Sequence, residues 1–319
     1  MTFLFVSLPL VAQENQGKSE ESKDGQQNFQ MPKTMFLPMV TILGVYQPES
    51  EIIDAKIPFF MPMAQARFSH RFTEWGKLPE LSFNANGELA PVWLNAQASF
   101  DIKPFKFLTF SAGGKIGTSW GMDMGFIAFD LIGEYDAEKA RYDAFTPFSH
   151  WVCEGFLQAA FAYDIGSLLA KEKQHITFKT NFRASYIGMT GVANGEIWMS
   201  QGQKGMVNGF CYSVTTSLDY KLPFSFPITT GASANVAGYF SDCFFDEKYK
   251  GFDGDFTTIT LAATATASIT RKDMFMLMIP FSGVRKFDTT DAEKQPLMQI
   301  EDGRRWKWGG IVLTYTHIF

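Results

Sequence analysis

Long apolar runs are missing from this 319-residue chain. A membrane helix needs about 20 consecutive apolar residues, and the mean hydropathy of −0.06 leaves no room for several. That excludes a helical membrane bundle but not a sheet, because a spanning strand shows only every second residue to lipid. Cysteine is nearly missing too. Cys153, Cys211 and Cys243 are far apart and odd in number, and no C-x-x-C pair marks a metal or redox centre. No Lys/Arg-rich block exists, and the net charge is −5, so the basic footprint of a nucleic-acid binder is lacking. Histidine occurs at only four positions, His70, His150, His175 and His317.

What the chain has in excess is phenylalanine, 33 residues of it, alongside 27 glycines. Many aromatics without apolar runs suit a sheet with one apolar face and girdles of rings at its edges. At the start, Thr2 to Ala12 is apolar with Ser and Pro breakers and small residues near Ala12, which reads as a secretory signal over residues 1–12, shortened at its basic end. Residues 13–33 are polar and charged, a leader with almost nothing to bury. The single structural domain is expected over 34–319.

From Pro62 onward the dominant period is two. Val92, Leu94, Ala96, Ala98 and Phe100 alternate with Trp93, Asn95, Gln97, Ser99 and Asp101. The same dyad runs through 175–186, 210–220 and 259–269. Such runs are strands of a sheet facing two different solvents. They are about twice the usual five or six residues, near the length a tilted strand needs to cross a bilayer. The last nine residues, Ile311 to Phe319, alternate up to the terminal carboxylate and end on an aromatic, with Ile311, Leu313, Tyr315, His317 and Phe319 on one face.

That terminal strand resembles the closing strand of bacterial outer-membrane β-barrels. The resemblance is architectural and covers roughly Met35 to Phe319. It implies an all-β, closed antiparallel transmembrane barrel in the outer membrane, contacts with lipid, and an assembly signal at Tyr315 and Phe319 read by the barrel-assembly machinery. The connections agree with it. Short turns recur at Lys77-Leu78-Pro79, Lys103-Pro104-Phe105, Lys221-Leu222-Pro223-Phe224 and Thr270-Arg271-Lys272-Asp273, with a somewhat longer one at Asp164 to Lys173. Longer polar loops lie at Gly121–Pro147, Gly191–Lys204, Asp242–Asp255 and Asp288–Arg305. Short periplasmic turns alternating with longer extracellular loops are the pattern of such barrels. Eleven strands are counted from residue 62. Parity adds Met35–Tyr46 as a first wall strand, giving twelve. Ten is the alternative, if 35–46 plugs the lumen and 75–90 is a loop. Asn86-Gly87 reads as a tight hairpin turn.

Phase assigns Arg67, Arg71, Lys115, Glu154, Lys179, Arg183 and Asp219 to the lumen. Arg67 and Arg71 sit four apart on one strand, as do Lys179 and Arg183 on another, which gives a mixed but basic-leaning lining. A barrel of eight strands is just filled by side chains, so a lumen closed by ion pairs is the competing reading. Catalysis is not expected. No histidine is followed two residues on by serine, the pattern of outer-membrane phospholipases. His150, with Asp123, Asp130, Asp136 and Asp143 before it, is the sole candidate for a rim hydrolase of omptin type. The acidic stretch Asp242–Glu247 with Asp253 and Asp255 lacks EF-hand spacing, so neither metal nor cofactor is assigned. Trp198-Met199 and Trp306-Lys307-Trp308 are expected to anchor at the outer interface. Three functions follow, in order: a narrow channel for small solutes, a closed barrel that binds partners through its loops, and a rim hydrolase.

Overall fold

The structure, a computed structural model, describes residues 32–46, 59–74, 77–123, 128–139, 141–165, 176–224, 226–249, 254–287 and 300–319. The expected signal segment and nearly all of the leader lie outside these residues, as do most of the 164–173 turn and the loop 288–299. The first five strands follow one another closely: β1 (Thr34–Tyr46), β2 (Phe59–Arg71), β3 (Glu80–Ala90), β4 (Trp93–Phe105) and β5 (Leu108–Ser119). Four short strands interrupt the series: β6 (Met122–Asp123), β7 (Ala128–Phe129), β8 (Ile132–Asp136) and β9 (Arg141–Ala144). The long strands β10 (Val152–Asp164) and β11 (Ile176–Met189) come next, then the small β12 (Trp198–Ser200) and β13 (Gln203–Met206). The chain finishes with β14 (Gly209–Lys221), β15 (Ile228–Tyr239), β16 (Thr258–Ser268), β17 (Asp273–Phe287), β18 (Ile300–Trp308) and β19 (Ile311–Ile318).

The long strands pair with their sequence neighbours, all antiparallel, and the sheet closes where β19 meets β1, from Met39 opposite Ile318 to Tyr46 opposite Ile311. β18 and β19 share one position in the wall. Both pair with β17, β18 along Phe281–Phe287 and β19 along Asp273–Met278. Pro280 explains the break. It has no N–H to give to a ladder, and opposite it the chain kinks at Gly309-Gly310, where Gly310 takes a φ of 86° and the Gly309 amide donates to the Pro280 carbonyl at 2.8 Å. The result is a closed all-β barrel of twelve wall strands, the architecture that the terminal strand resembles. Residues 35–46 belong to the wall.

One expected turn is displaced. Asn86 and Gly87 lie inside β3, paired with Gln97 and Ala96 of β4, and the hairpin turns instead at Pro91-Val92, between the paired Ala90 and Trp93. Alternation explains this, because Asn86 keeps the inward phase of Asn84 and Glu88, whereas a turn there would have cut the ladder. Thr34 and Phe319 both lie at the end with the short connections, and the Phe319 amide donates to the Pro38 carbonyl at 3.1 Å.

The outward phase is apolar and open to the surroundings. Phe60, Phe100, Phe110, Leu157, Phe182, Leu218 and Leu261 all lie on it, Leu157 with 66% of its surface exposed. A contiguous belt of this kind marks an interaction with another apolar phase. Two hydroxyls on this face, Thr180 and Thr216, bond each other at 3.1 Å, which limits the cost of placing them in hydrocarbon.

Neighbouring residues of one strand should therefore respond oppositely to charge. Ala263→Arg, on the outward face in the middle of β16, should cost about 2–4 kcal/mol in urea titrations of the lipid-reconstituted protein, and Thr264→Arg, facing inward, less than about 1 kcal/mol. Equal costs would contradict the assigned faces.

Candidate solute path and its cap

The inward side chains of β2–β5, β10 and β11 build a belt of charges. Glu88 of β3 accepts from the Gln65 amide at 3.2 Å, the Trp93 indole at 2.5 Å and the Asn95 amide at 3.4 Å. Arg67 lies within its field. Lys115 sits in cross-strand register with Glu154 and within the fields of Glu154 and Glu88. Glu154 accepts from Arg183 twice through one oxygen, at 3.0 Å from Nε and 2.8 Å from a terminal nitrogen. The Arg183 guanidinium also stacks 3.7 Å from the centre of the Phe156 ring. Gly113 makes room for that ring, since a Cβ there would come within 2.8 Å of it and 2.3 Å of the Ala98 carbonyl. Glu88, Glu154 and Arg183 are thus each held by partners at defined places.

Nearer the short-turn end the pairs are separate. Lys179 meets Asp219 at 2.7 Å, Arg71 meets Glu80 at 3.2 Å, and the Asn84 amide donates to Asp101 at 2.6 Å. The structure therefore places Arg67, Arg71, Lys115, Glu154, Lys179, Arg183 and Asp219 on the inner face, but not as two basic stripes. Arg183 binds Glu154, Lys115 lies within the fields of Glu154 and Glu88, and Arg67 within that of Glu88, whereas Arg71 and Lys179 are bound elsewhere. Sequence reading missed Glu88 because Asn86-Gly87 reads as a tight turn, which ends the strand before it. It also missed Asn95 and Gln65, which look like ordinary polar strand residues.

The other side of the barrel interior is different. Strands β14–β16 present Ser213, Thr215, Ser217, Ser233, Asn235, Thr264 and Thr266 inward, all short and all partly accessible to water. Asn235 donates to the Thr215 hydroxyl at 2.8 Å. The lumen is thus lined by long charged groups on one side and short hydroxyls on the other.

The mouth opposite the short turns is covered. β13, β12, β8 and β9 form a four-stranded sheet from two different loops. Its buried side chains, Ile132 and Trp198 among them, pack with Met189, Val192 and Met206. A second cluster joins Tyr135, Ile197, Val207 and Tyr249, and a third joins Leu131 to Met61, Met63 and Trp93 on the inner wall. Trp198 is fully buried here, not an interface anchor, whereas Trp306 and Trp308 stay about two-fifths exposed on the barrel. The hairpin between β12 and β13 turns in two residues at φ 51° for Gln201 and 76° for Gly202, the geometry for which a glycine is favoured. Its tip is held to the wall: the Gln201 side chain donates to Asn95 at 2.7 Å and its backbone amide to the Ser119 hydroxyl at 3.2 Å. The hairpin's return strand is fixed by buried phenols, Tyr142 OH accepting from the Gly205 amide at 2.8 Å and Tyr239 OH bonding the Val207 amide and carbonyl, both at 3.0 Å. Burial raises the ionisation of Tyr142 well above the ordinary phenol range.

Beneath the hairpin lies a cavity of about 70 Å³, lined by Asn95, Lys115, Glu154, Gln203 and Trp198 among others. At the rim, His150 stacks on Phe145 with ring centres 3.6 Å apart, and its Nδ1 lies 2.8 Å from the Ser149 hydroxyl. Asp136 and Asp143 instead hold Lys139, at 2.7 and 2.6 Å. Asp130 is exposed, and the side chain of Asp123 lies outside the described residues. In the 242–249 segment, Ser241 caps a short 3-10 turn, and Glu196 binds Lys248 at 2.5 Å and the Tyr249 hydroxyl at 2.8 Å. Among the described residues no group of three His, Cys, Asp or Glu is placed to hold a metal ion. His70 and His317 face outward, His70 beside Thr34 at 2.7 Å and His317 beside Asp273 at 2.8 Å. Tyr315 also donates to Asp273, at 2.7 Å, and Phe319 ends the closing seam.

No family model matches the chain, and no curated protein matches it. Several solved structures are similar in fold. The KdgM porin shares 9% identity over 88% of this chain and 99% of its own, with a TM-score of 0.37. An outer-membrane channel from Pseudomonas putida F1 shares 11% over 93% of this chain and 100% of its own, with a TM-score of 0.42. The outer-membrane-expressed OmpT of Vibrio cholerae shares 7% over 90% and 97%, with a TM-score of 0.39.

The Glu154–Arg183 pair should behave as a unit. Glu154→Gln and Arg183→Gln should each lower stability by about 1–3 kcal/mol, and the double variant by clearly less than the sum, as a double-mutant cycle in urea will read. At the rim, burial holds His150 below its ordinary 6.5. The folded state then binds fewer protons than the unfolded one, so this site loses stability as pH falls below about 6.5. Amide exchange around residues 146–151 should accelerate over that range, and His150→Phe should remove the dependence.

Proposed function

We propose that the protein is an integral outer-membrane barrel that passes small polar solutes through a narrow, hydrated lumen, with a preference for anions and a mouth narrowed by the 198–206 hairpin. The observation that carries this reading is the two-sided lining. Short hydroxyl side chains on β14–β16 leave accessible space inside the wall, and the charge belt on the facing strands sets the field that a passing ion meets. In that belt Arg67, Lys115 and Arg183 outnumber Glu88 and Glu154, which favours anions. The apolar outer belt supports insertion in lipid, and closure of the sheet leaves no unpaired edge for lipid to meet. Tyr315 and Phe319, on the outward face of the closing strand, suit recognition by the assembly machinery.

A second reading is favoured by the cap. Its clusters bury Trp198, Ile197 and Ile132 as a soluble core would, which suits a closed barrel acting through its loops. Planar-bilayer recordings separate the two. The channel predicts small, steady conductance with a reversal potential biased toward anions, and Arg183→Glu should shift that bias toward cations. A correctly folded barrel that conducts nothing would remove the channel and leave the closed barrel.

A further inference from the structure

The two ends of the barrel differ in charge. At the end with the long loops, Asp130, Glu138, Asp242, Asp246 and Glu247 are exposed. At the end with the short turns, the exposed charges are mostly cations: Lys77, Lys106, Lys221, Arg271 and Lys272, one or two at each of four turns. Most carboxylates at this end are already engaged. Glu74 pairs with Lys77, and Glu80 with Arg71 at 3.2 Å. Asp273 bonds the Thr270 and Tyr315 hydroxyls at 2.5 and 2.7 Å and the His317 ring at 2.8 Å. Asp164 has an interaction of its own. Lys106, Lys221, Arg271 and Lys272 have no ion-pair partner among the described residues.

Each of these four cations stands close to an exposed apolar side chain. Lys106 lies between Phe105 and Phe107, whose rings stack with centres 5.5 Å apart. Lys221 comes three residues before Phe224, and Arg271 two after Ile269. The Lys272 carbonyl accepts from the Ile318 amide at 2.9 Å, which sets Lys272 next to the terminal Phe319. An apolar group at the edge of the hydrocarbon with a cation just beyond it matches the layers of a phospholipid, acyl chain first and phosphodiester next. Cations left without carboxylates favour a surface of net negative charge over a zwitterionic one.

We propose that the short-turn end of the barrel binds net-negative phospholipids, with phosphodiesters at Lys106, Lys221, Arg271 and Lys272 and acyl chains against Phe105, Phe107, Phe224 and Phe319. Exposed cations of this kind act through their number and not through any one contact, so binding weakens as salt rises. The proposal rests on the membrane-embedded reading of the barrel and not on conduction.

The full-length protein in phosphatidylcholine liposomes, doped with spin-labelled phosphatidylglycerol or spin-labelled phosphatidylcholine, tests it. The fraction of each label immobilised by the protein reads their relative affinity. Phosphatidylglycerol should associate about threefold more strongly at low salt, and the ratio should fall toward one in molar salt. The combined Lys106→Gln, Lys221→Gln, Arg271→Gln and Lys272→Gln variant should lose the preference, and the combined Lys106→Arg, Lys221→Arg and Lys272→Arg variant should keep it. Lys139→Gln with Arg141→Gln, at the opposite end, should leave it unchanged. Inorganic phosphate should compete no better than chloride at equal ionic strength, because it has no acyl chains. Equal association of the two lipids, a preference that survives molar salt or the glutamine variant, or specific displacement by inorganic phosphate overturns the proposal. The salt dependence of the unaltered protein keeps the test decisive if the glutamine variant fails to insert. Insertion without a preference removes the lipid site and keeps the barrel, whereas failure of the unaltered protein to insert in either lipid removes both.

Discussion

The backbone hydrogen bond at the seam between the first and last strands is the constraint on which the rest depends. In hydrocarbon an unpaired N–H or C=O costs several kcal/mol, and water cannot repay it. An open twelve-stranded sheet would leave two such edges. The pairing of Met39–Tyr46 with Ile318–Ile311 removes both. The kink at Gly309-Gly310 falls opposite Pro280, which has no N–H to give to the ladder and keeps only the bond that its carbonyl accepts from Gly309.

Closure then divides the side chains between two environments. Residues facing out need no polar partner and are mostly apolar. Residues facing in are confined with one another, so their charges must pair or stay hydrated. The interior meets that demand unevenly. Long ionic groups interlock through Glu88 and Glu154 on one side, and short hydroxyls on β14–β16 leave space on the other. The cap adds a third environment, a small apolar core above the belt. It needs both loops, because β12 pairs with β8 across more than sixty residues of chain, Trp198 opposite Glu134.

These three layers were not equally legible in the sequence. The wall was legible because its period of two is local and repeated, and because phase alone sorts Arg183 from Phe182. Asn86-Gly87 misled because local turn chemistry was weighed above alternation, which continues unbroken through Glu88. Partners within the lumen were hidden: phase says that Lys115 points inward but not that Glu88 and Glu154 flank it, which depends on strand register. The cap left almost no signal. Its strands are three to five residues long, and the pairing that joins its two loops is non-local. Trp198 in a polar loop reads as an interface anchor until the sheet that buries it is seen.

Two solvents, one on each face of every wall strand, are the central claim. Adjacent single cysteines at Leu157 and Gln158, in a background without Cys153, Cys211 and Cys243, test it most directly when labelled with an environment-sensitive fluorophore in liposomes. Leu157→Cys should be quenched by brominated lipid and not by aqueous iodide, and Gln158→Cys by iodide and not by the lipid. Quenching of both positions by iodide alone would contradict a membrane-embedded barrel, and quenching of both by lipid would contradict a hydrated lumen.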